Sequence, residues 1–219
     1  MNQLLLQLRV VALSLLGIIA LVPGPNREGK LRIQGPLNNI ITRAGITFLL
    51  GPWLAIPFIA QPRFIGFHRA VMVAVGIILC ASGSVLYALS LKALLPAFAQ
   101  QFTEFTPEAL VEHGPYRYVR HPIYLSAFVI LLGLYLAMGA TLSIVLLPIC
   151  YLLLRLVTVY EEKWILEPKF STKYLEYKAR VNVAIMGCQG GLAFAAAYLV
   201  LAGMSLLDLM GRINVHFIE

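Results

Sequence analysis

The sequence predicts an all-α fold, a polytopic bundle of about six transmembrane helices with an amphipathic helix on the cytoplasmic side. Of its 219 residues, 60% are hydrophobic, and the mean hydropathy is +0.83. Only 12% are charged, whereas a soluble domain usually has about 25%. The apolar residues are gathered into runs about as long as a bilayer is thick. This pattern is typical of a chain that crosses a membrane several times.

Six apolar segments account for this prediction. They cover residues 3–22, 40–60, 70–91, 123–138, 142–159 and 184–207. The second contains Pro52 and Pro57, which predict a kink. The third and the sixth are rich in small residues, which favour close contact between helices. Only MGAT, residues 138–141, joins the fourth to the fifth, so we expect these two to form an antiparallel hairpin.

Positive charges predict the orientation of the bundle. Most lysines and arginines follow the first, third and fifth segments, whereas Arg63, Arg69 and Arg212 lie on the opposite side. Because basic loops stay in the cytoplasm, we expect the larger group there and both termini on the other side. The net charge of +7 is spread between apolar segments, which indicates contact with anionic membrane lipids and not with nucleic acid.

After the fifth segment, the charged stretch YEEKWILEPKFSTKYLEYKARV predicts an amphipathic helix. Pro168 suits the first turn of a helix. From there Phe170, Tyr174, Tyr177 and Val181 recur on one face, while charged residues take the other faces. Such a helix either lies in the membrane interface or caps the bundle.

The stretch GPYRYVRHPIY, residues 114–124, places polar side chains at the start of the fourth segment. Pro122 begins a helix well, so His121 falls at the N-cap, beside unpaired backbone N–H groups and a partial positive charge. Arg120, His121 and this helix end together predict a site for an anion. The alternative is that the arginines and tyrosines only anchor the segment at the membrane boundary.

Two adjacent carboxylates, Glu161 and Glu162, stand at the cytoplasmic end of the fifth segment. The helix dipole disfavours negative charge there, so we expect a cationic partner, which Arg120 or a ligand would supply. The alternative is a solvated turn balanced by Lys163. Together the two clusters offer cations for a carboxylate, carboxylates for an ammonium and aromatic rings for a flat base. An amino-acid-like ligand that carries a nucleobase would match this set.

These residues resemble a family of membrane methyltransferases that contains isoprenylcysteine carboxyl methyltransferases and phospholipid N-methyltransferases. The resemblance covers roughly residues 109–181, and its first half is carried by Leu110, Val111, Gly114, Tyr116, Arg120, His121, Pro122 and Tyr124. Its second half is carried by Glu161, Glu162, Phe170, Tyr174 and Tyr177. Each piece is weak alone, but their order and spacing across a predicted hairpin make the resemblance specific.

The chain departs from the family pattern at three places. Ser171 stands where the family usually has glycine, and the gap between Glu162 and Phe170 is one residue longer than usual. The tail reads RVNVAIMG and runs into the sixth segment, where the family usually continues Arg-Val-Pro-Arg. The chain accordingly divides into a three-helix part, a family-like core and an extra helix, residues 1–108, 109–181 and 182–219.

The resemblance implies S-adenosylmethionine as cofactor, in a pocket that faces the cytoplasm. The residues implied to bind it are Leu110, Val111, Gly114, Tyr116, Arg120, His121, Pro122, Tyr124, Glu161 and Glu162. Either glutamate would meet its amino group, and Glu162 and Tyr124 are candidates for a general base. A lipophilic acceptor, such as a phospholipid amine or an isoprenylcysteine-type carboxylate, would enter from the bilayer.

Two other functions stay open at this point. Sterol reductases, which use NADPH, are similar around the Arg-His-Pro residues, but they are longer chains with more spans before the motif. A non-enzymatic membrane protein would need only the interfacial anchors, yet the spans lack the charge pairs common in transporters. Arg9 and Arg155 are the exceptions, and both are near enough to a helix end to snorkel. The three cysteines have no metal-site spacing, and no metal is predicted.

Overall fold

The computed structural model describes residues 51–58, 61, 63, 68–97 and 109–216. Its long helices are α1 His68–Leu94, α2 Pro122–Met138, α3 Thr141–Glu161, α4 Glu167–Arg180 and α5 Cys188–His216. The predicted first span and most of the second lie outside the described residues. Near Pro57, a helix over residues 51–55 gives way to a 3₁₀ turn, Ile56–Phe58. The all-α prediction is confirmed for the described part of the chain, which contains no strand.

Within the described residues, two helical segments are long and apolar enough to cross a membrane, Arg69–Leu94 and the continuous segment Thr141–Arg180. The helix α2 and the first part of α5, Cys188–Leu201, are apolar but shorter. These lengths fit a membrane protein, but they do not establish six spans. The predicted start of the sixth span is wrong, since residues 184–187 are not helical and α5 begins at Cys188.

Glycines allow α1 and α2 to pack backbone against backbone. A Cβ atom on Gly76 would lie 2.5 Å from the backbone nitrogen of Ala137, and one on Gly133 would lie 2.6 Å from the carbonyl oxygen of Gly76. The prediction of close packing by small residues is therefore confirmed for this segment. In α5 it is not, because a Cβ on Gly191 or Gly203 would have no described atom within 4 Å.

The predicted hairpin joins α2 to α3. The helix α2 ends at Met138 because Gly139 adopts a left-handed conformation, with φ 64°, and α3 begins two residues later. Arg63 and Arg69 donate hydrogen bonds to the Met138 carbonyl oxygen at 2.8 and 3.0 Å, which stabilises the negative end of α2. These arginines lie at the opposite end of α2 from Arg120, as the charge pattern predicts; which end faces the cytoplasm stays a prediction.

The helix α3 continues into α4 through one wide turn. Residues Glu162–Leu166 form a π-helical turn, which takes up one residue more than an α turn. This accounts for the extra residue between Glu162 and Phe170. Within α4, Ser171 has φ 49° and ψ −129°, a conformation that strains any residue with a side chain and suits glycine. The family's usual glycine at this position has a structural reason.

The core lies between α2, α3 and α5. Its fully buried side chains include Phe128, Tyr135, Ile144 and Leu154, and Trp53 from the segment before α1 belongs to the same cluster. Phe194 of α5 packs edge-on against Phe128, and Tyr198 donates a hydrogen bond to the Val145 carbonyl oxygen. The predicted apolar face of α4 is the buried one, since Tyr174 and Tyr177 pack with Val181 in a second cluster. The cytoplasmic location of α4 stays a prediction.

Candidate functional site

A turn before α2 sets the direction in which the chain enters that helix. Gly114 has φ 60°, which favours glycine, and it opens the 3₁₀ turn Gly114–Arg117. Val111 and Tyr116 are buried against the end of α1. Tyr177 of α4 donates its hydroxyl hydrogen to the Tyr116 carbonyl oxygen at 2.7 Å. The turn is thus held by α1 on one side and by α4 on the other.

The backbone of Arg120 and His121 pairs with the segment between α4 and α5. Their N–H groups donate to the carbonyl oxygens of Val183 and Ala184, each at 2.9 Å. His121 is the N-cap of α2 and Pro122 is in its first turn, as predicted. The His121 side chain does not cap the helix. Both side chains instead reach the end of α3.

Glu162 lies at the centre of this cluster and is only 5% exposed. Its Oε1 accepts a hydrogen bond from Arg120 Nε at 2.8 Å and lies 2.9 Å from His121 Nε2. Because a carboxylate only accepts, His121 Nε2 carries the proton in this pair. Lys178 Nζ lies 3.1 Å from Glu162 Oε2. The anion that Arg120 and His121 bind is therefore the chain's own Glu162.

These contacts set the charge of Glu162, which lies beyond the apolar part of α3. Burial by itself would raise the pKa of its carboxyl group. The hydrogen bonds from His121 and Arg120 outweigh burial and hold the pKa well below its ordinary value. Glu162 is consequently a stable anion and a weak proton acceptor. This environment weighs against the predicted role of Glu162 as general base.

Glu161 has a different environment from its neighbour. Its Oε2 accepts a hydrogen bond from the Tyr124 hydroxyl at 3.0 Å and lies 3.6 Å from His121 Nδ1. The side chain is 31% exposed, against 7% for that of Glu162. Within the described residues no lysine or arginine forms an ion pair with Glu161. Of the two carboxylates, Glu161 is thus the one available to an external cation.

Lys178 belongs to the site, although the sequence analysis treated it only as a positive charge. Its ammonium bridges Glu162 and Glu167, with 2.8 Å to Glu167 Oε1. The side chain is 38% exposed, so an anion from outside can reach it. The position next to Tyr177, on the border of the buried face of α4, was a signal for such a role.

One polar atom of the site has no partner among the described residues. Tyr174 is 0% exposed, and its hydroxyl oxygen makes no hydrogen bond there. The phenol is close enough to Glu162 and Arg120 to be affected by their charges. A buried hydroxyl without a partner is costly, so a ligand atom or a water is expected beside it.

The structure separates the predicted residues into two groups. Those joined by side-chain contacts are Arg120, His121, Tyr124, Glu161 and Glu162. Those that shape the surroundings are Leu110, Val111, Gly114, Tyr116 and Pro122. The interpretation as a membrane anchor fits Arg117 and Tyr118, which are exposed, but not the buried Arg120 and His121.

Residues 71–173 match the sequence model of a family described as phospholipid methyltransferase. This match confirms the family read from the motifs. It begins within α1, well before residue 109, and it includes both glutamates and the Arg-His-Pro residues. The match does not support the reductase alternative. No curated protein and no solved structure matches the chain.

Proposed function

We propose that the chain is a membrane methyltransferase that transfers a methyl group from S-adenosylmethionine to a lipid or lipophilic acceptor, because residues 71–173 match the phospholipid methyltransferase family. One observation carries the proposal. Of two adjacent glutamates, one is neutralised by Arg120, His121 and Lys178, while the other remains accessible.

The residues present fit the amino-acid part of this cofactor. Glu161 has carboxylate lone pairs free for its ammonium group, and the half-exposed Lys178 can meet its carboxylate. The Tyr174 hydroxyl, which has no partner among the described residues, can supply one further hydrogen bond. Glu162 is already satisfied, so its role is to hold Arg120, His121 and Lys178 in position. This revises the expectation that either glutamate could meet the amino group.

S-adenosylmethionine supplies an electrophilic methyl group on a sulfonium, so the protein has to bind, orient and exclude water. Tyr124 orients Glu161 by donating its hydroxyl hydrogen, and the His121 ring stacks on Tyr124 with centroids 5.7 Å apart. The backbone bonds from Arg120 and His121 to the segment after α4 hold these groups together. The arrangement is therefore preorganised at the end of α3.

A general base is required only if the acceptor is an amine, which must lose a proton, and not if it is a carboxylate. Glu162 is a poor base because its pKa is lowered. Tyr124 is a neutral phenol that already donates its hydrogen to Glu161. Glu161 is more exposed and is not paired with lysine or arginine among the described residues, but pairing with the ammonium group of the cofactor would stabilise its charged form, so no general base is assigned.

Calorimetry on the full chain in detergent tests the proposal. S-adenosylhomocysteine should bind and NADPH should not; binding of NADPH alone would refute the proposal. Glu161→Gln should weaken S-adenosylhomocysteine binding at least about tenfold, or about 1.4 kcal/mol. Glu176→Gln is the matched control, because Glu176 is an exposed carboxylate on α4 away from the cluster. Equal affinity in both variants would leave Glu161 without the proposed role.

A further inference from the structure

The apolar part of α3 contains a cation that the proposed cofactor site does not use. Arg155 stands there between Leu154 and Leu156. A charge within an apolar helix is expensive unless it has a partner, and such residues are usually functional. The expectation was that Arg155 snorkels towards water. Its guanidinium donates a hydrogen bond to Oγ1 of Thr158, a fully buried residue three positions nearer the end of α3, at 3.2 Å.

Arg155 lies at the border between two surfaces of α3. On one side Leu152, Leu156 and Val159 are 51–61% exposed, which makes an apolar strip suited to acyl chains. On the other side the helix is buried, with Thr158 at 0% exposure. A lipid tail lying on the exposed strip would bring its head group to Arg155 before it reached the end of α3.

Arg155 also lies on the same face of α3 as Glu162. Seven residues make two turns, so the two Cα atoms are about 10 Å apart along the axis and point in nearly the same direction. The contact with Thr158 directs the guanidinium towards Glu162. The Thr158 hydroxyl donates to the Arg155 carbonyl oxygen at 2.8 Å, which leaves its lone pairs for the guanidinium.

The Arg155 guanidinium has more N–H donors than it has hydrogen-bond acceptors among the described residues. It has five N–H groups, and the bond to Thr158 is its one hydrogen bond within the described residues. No carboxylate of the described chain forms an ion pair with it. The border of the lipid-facing strip thus carries a cation without a counter-charge among these residues.

We propose that Arg155, with Thr158, binds the anionic group of the lipophilic methyl acceptor, and that this group is the phosphodiester of a phospholipid. The inference rests on the proposed function. A guanidinium matches two phosphate oxygens with parallel hydrogen bonds. In an aminoalkyl phospholipid a short arm joins the phosphate to the amine, which then lies about one helical turn closer to the end of α3. The amine is thereby directed to the methyl donor.

Lipid retention without cofactor tests the proposal. The wild-type chain and Arg155→Gln are purified in detergent, offered phosphatidylethanolamine, and compared by native mass spectrometry. We expect Arg155→Gln to retain at least about tenfold less phospholipid, and Arg155→Lys to retain an intermediate amount. Diacylglycerol, which lacks the phosphate, should be retained equally by all forms. Arg117→Gln is the control for loss of charge, because Arg117 is exposed and outside the site.

The outcomes separate this proposal from the proposed function. Equal phospholipid retention by the wild type and Arg155→Gln overturns the Arg155 subsite. Retention of a free S-farnesylcysteine acid in place of phospholipid, lost in Arg155→Gln, overturns the phosphodiester as its ligand. S-adenosylhomocysteine should bind both forms equally, which also shows that the variant is folded. If the wild type does not bind it, the proposed function fails, while the lipid result still decides the role of Arg155.

Discussion

Replacing Glu162 by glutamine removes the negative charge around which Arg120, His121 and Lys178 are arranged. Glutamine keeps one oxygen that can accept from Arg120, but its NH₂ group then faces a donor, His121 or Lys178. Removing one partner of a buried ion pair typically costs about 3–5 kcal/mol. Lys178 is 38% exposed and keeps Glu167 as a partner, which relieves part of the loss. We therefore expect the lower end of that range, about 3 kcal/mol.

Thermal unfolding in detergent without ligand measures this loss. For a chain of this size 1 kcal/mol corresponds to about 2–4 °C, so the unfolding temperature of Glu162→Gln should fall by about 6–12 °C. Glu161→Gln is the matched control on the adjacent residue. This variant only weakens the hydrogen bond from the Tyr124 hydroxyl, at a partly exposed site, so its free energy of unfolding should fall by about 1 kcal/mol or less. For the affinity towards S-adenosylhomocysteine, we expect Glu161→Gln to have the larger effect and Glu162→Gln the smaller one, because Glu161 is the carboxylate proposed to contact the ligand.

A double-mutant cycle that combines Glu162→Gln with Arg120→Gln isolates the interaction energy between Arg120 and Glu162. The destabilisation by the two changes together should be smaller than the sum of the single effects, because either one already breaks the Arg120–Glu162 contact. All variants are heated at the same rate, since an irreversible transition depends on it. Additive effects, or a Glu162→Gln variant as stable as Glu161→Gln, would refute the reasoning.

Three further predictions concern the fold and its pH dependence. Ser171→Gly should relieve the strain at this position, so the free energy of unfolding should increase by about 1 kcal/mol and the unfolding temperature should rise. Thr172→Gly, at the next residue, which is helical, should lower both by a similar amount. Gly76→Ala should destabilise the α1–α2 contact, while Gly191→Ala, whose added Cβ has no described atom within 4 Å, should not; comparable melting of both variants would contradict the packing argument. Because the pKa of Glu162 is lowered, its stabilisation is present above the ordinary value of 4.5 and is lost as the pH falls below it. On acidification from about pH 6 to about pH 4 the wild type should therefore lose more stability than Glu162→Gln, as melting curves at each pH would show.

The helices were predictable where the chain itself marks their ends. Pro122 begins α2, and the MGAT link ends it, so the bounds of α2 and α3 agree with the apolar runs within about two residues. The start of α5 was placed too early, at residue 184. Hydropathy does not reveal that the carbonyl of Ala184 is hydrogen-bonded to His121, which holds this part of the chain in a non-helical conformation.

The site was predictable as a set but not in its division of roles. The hairpin necessarily brings Arg120 and His121 near the end of α3, so the two clusters meet. Which glutamate is buried depends on the π turn that starts at Glu162, and periodicity does not show such a turn. In the sequence, the longer gap after Glu162 indicates the π turn. The serine at position 171 stands where α4 is interrupted. The role of Lys178 depends on both irregularities, so a simple helical pattern did not indicate it.

The backbone bonds from Arg120 and His121 to Val183 and Ala184 have a consequence for biosynthesis. A ribosome releases the chain from its N-terminus onwards, so α2 and the two glutamates are made well before their backbone partners at residues 183–184. Until that segment emerges, two N–H groups beside the candidate site lack their acceptors. The site is thus completed late in translation, and a nascent chain that stops before residue 183 should bind S-adenosylhomocysteine poorly even when its first helices are inserted.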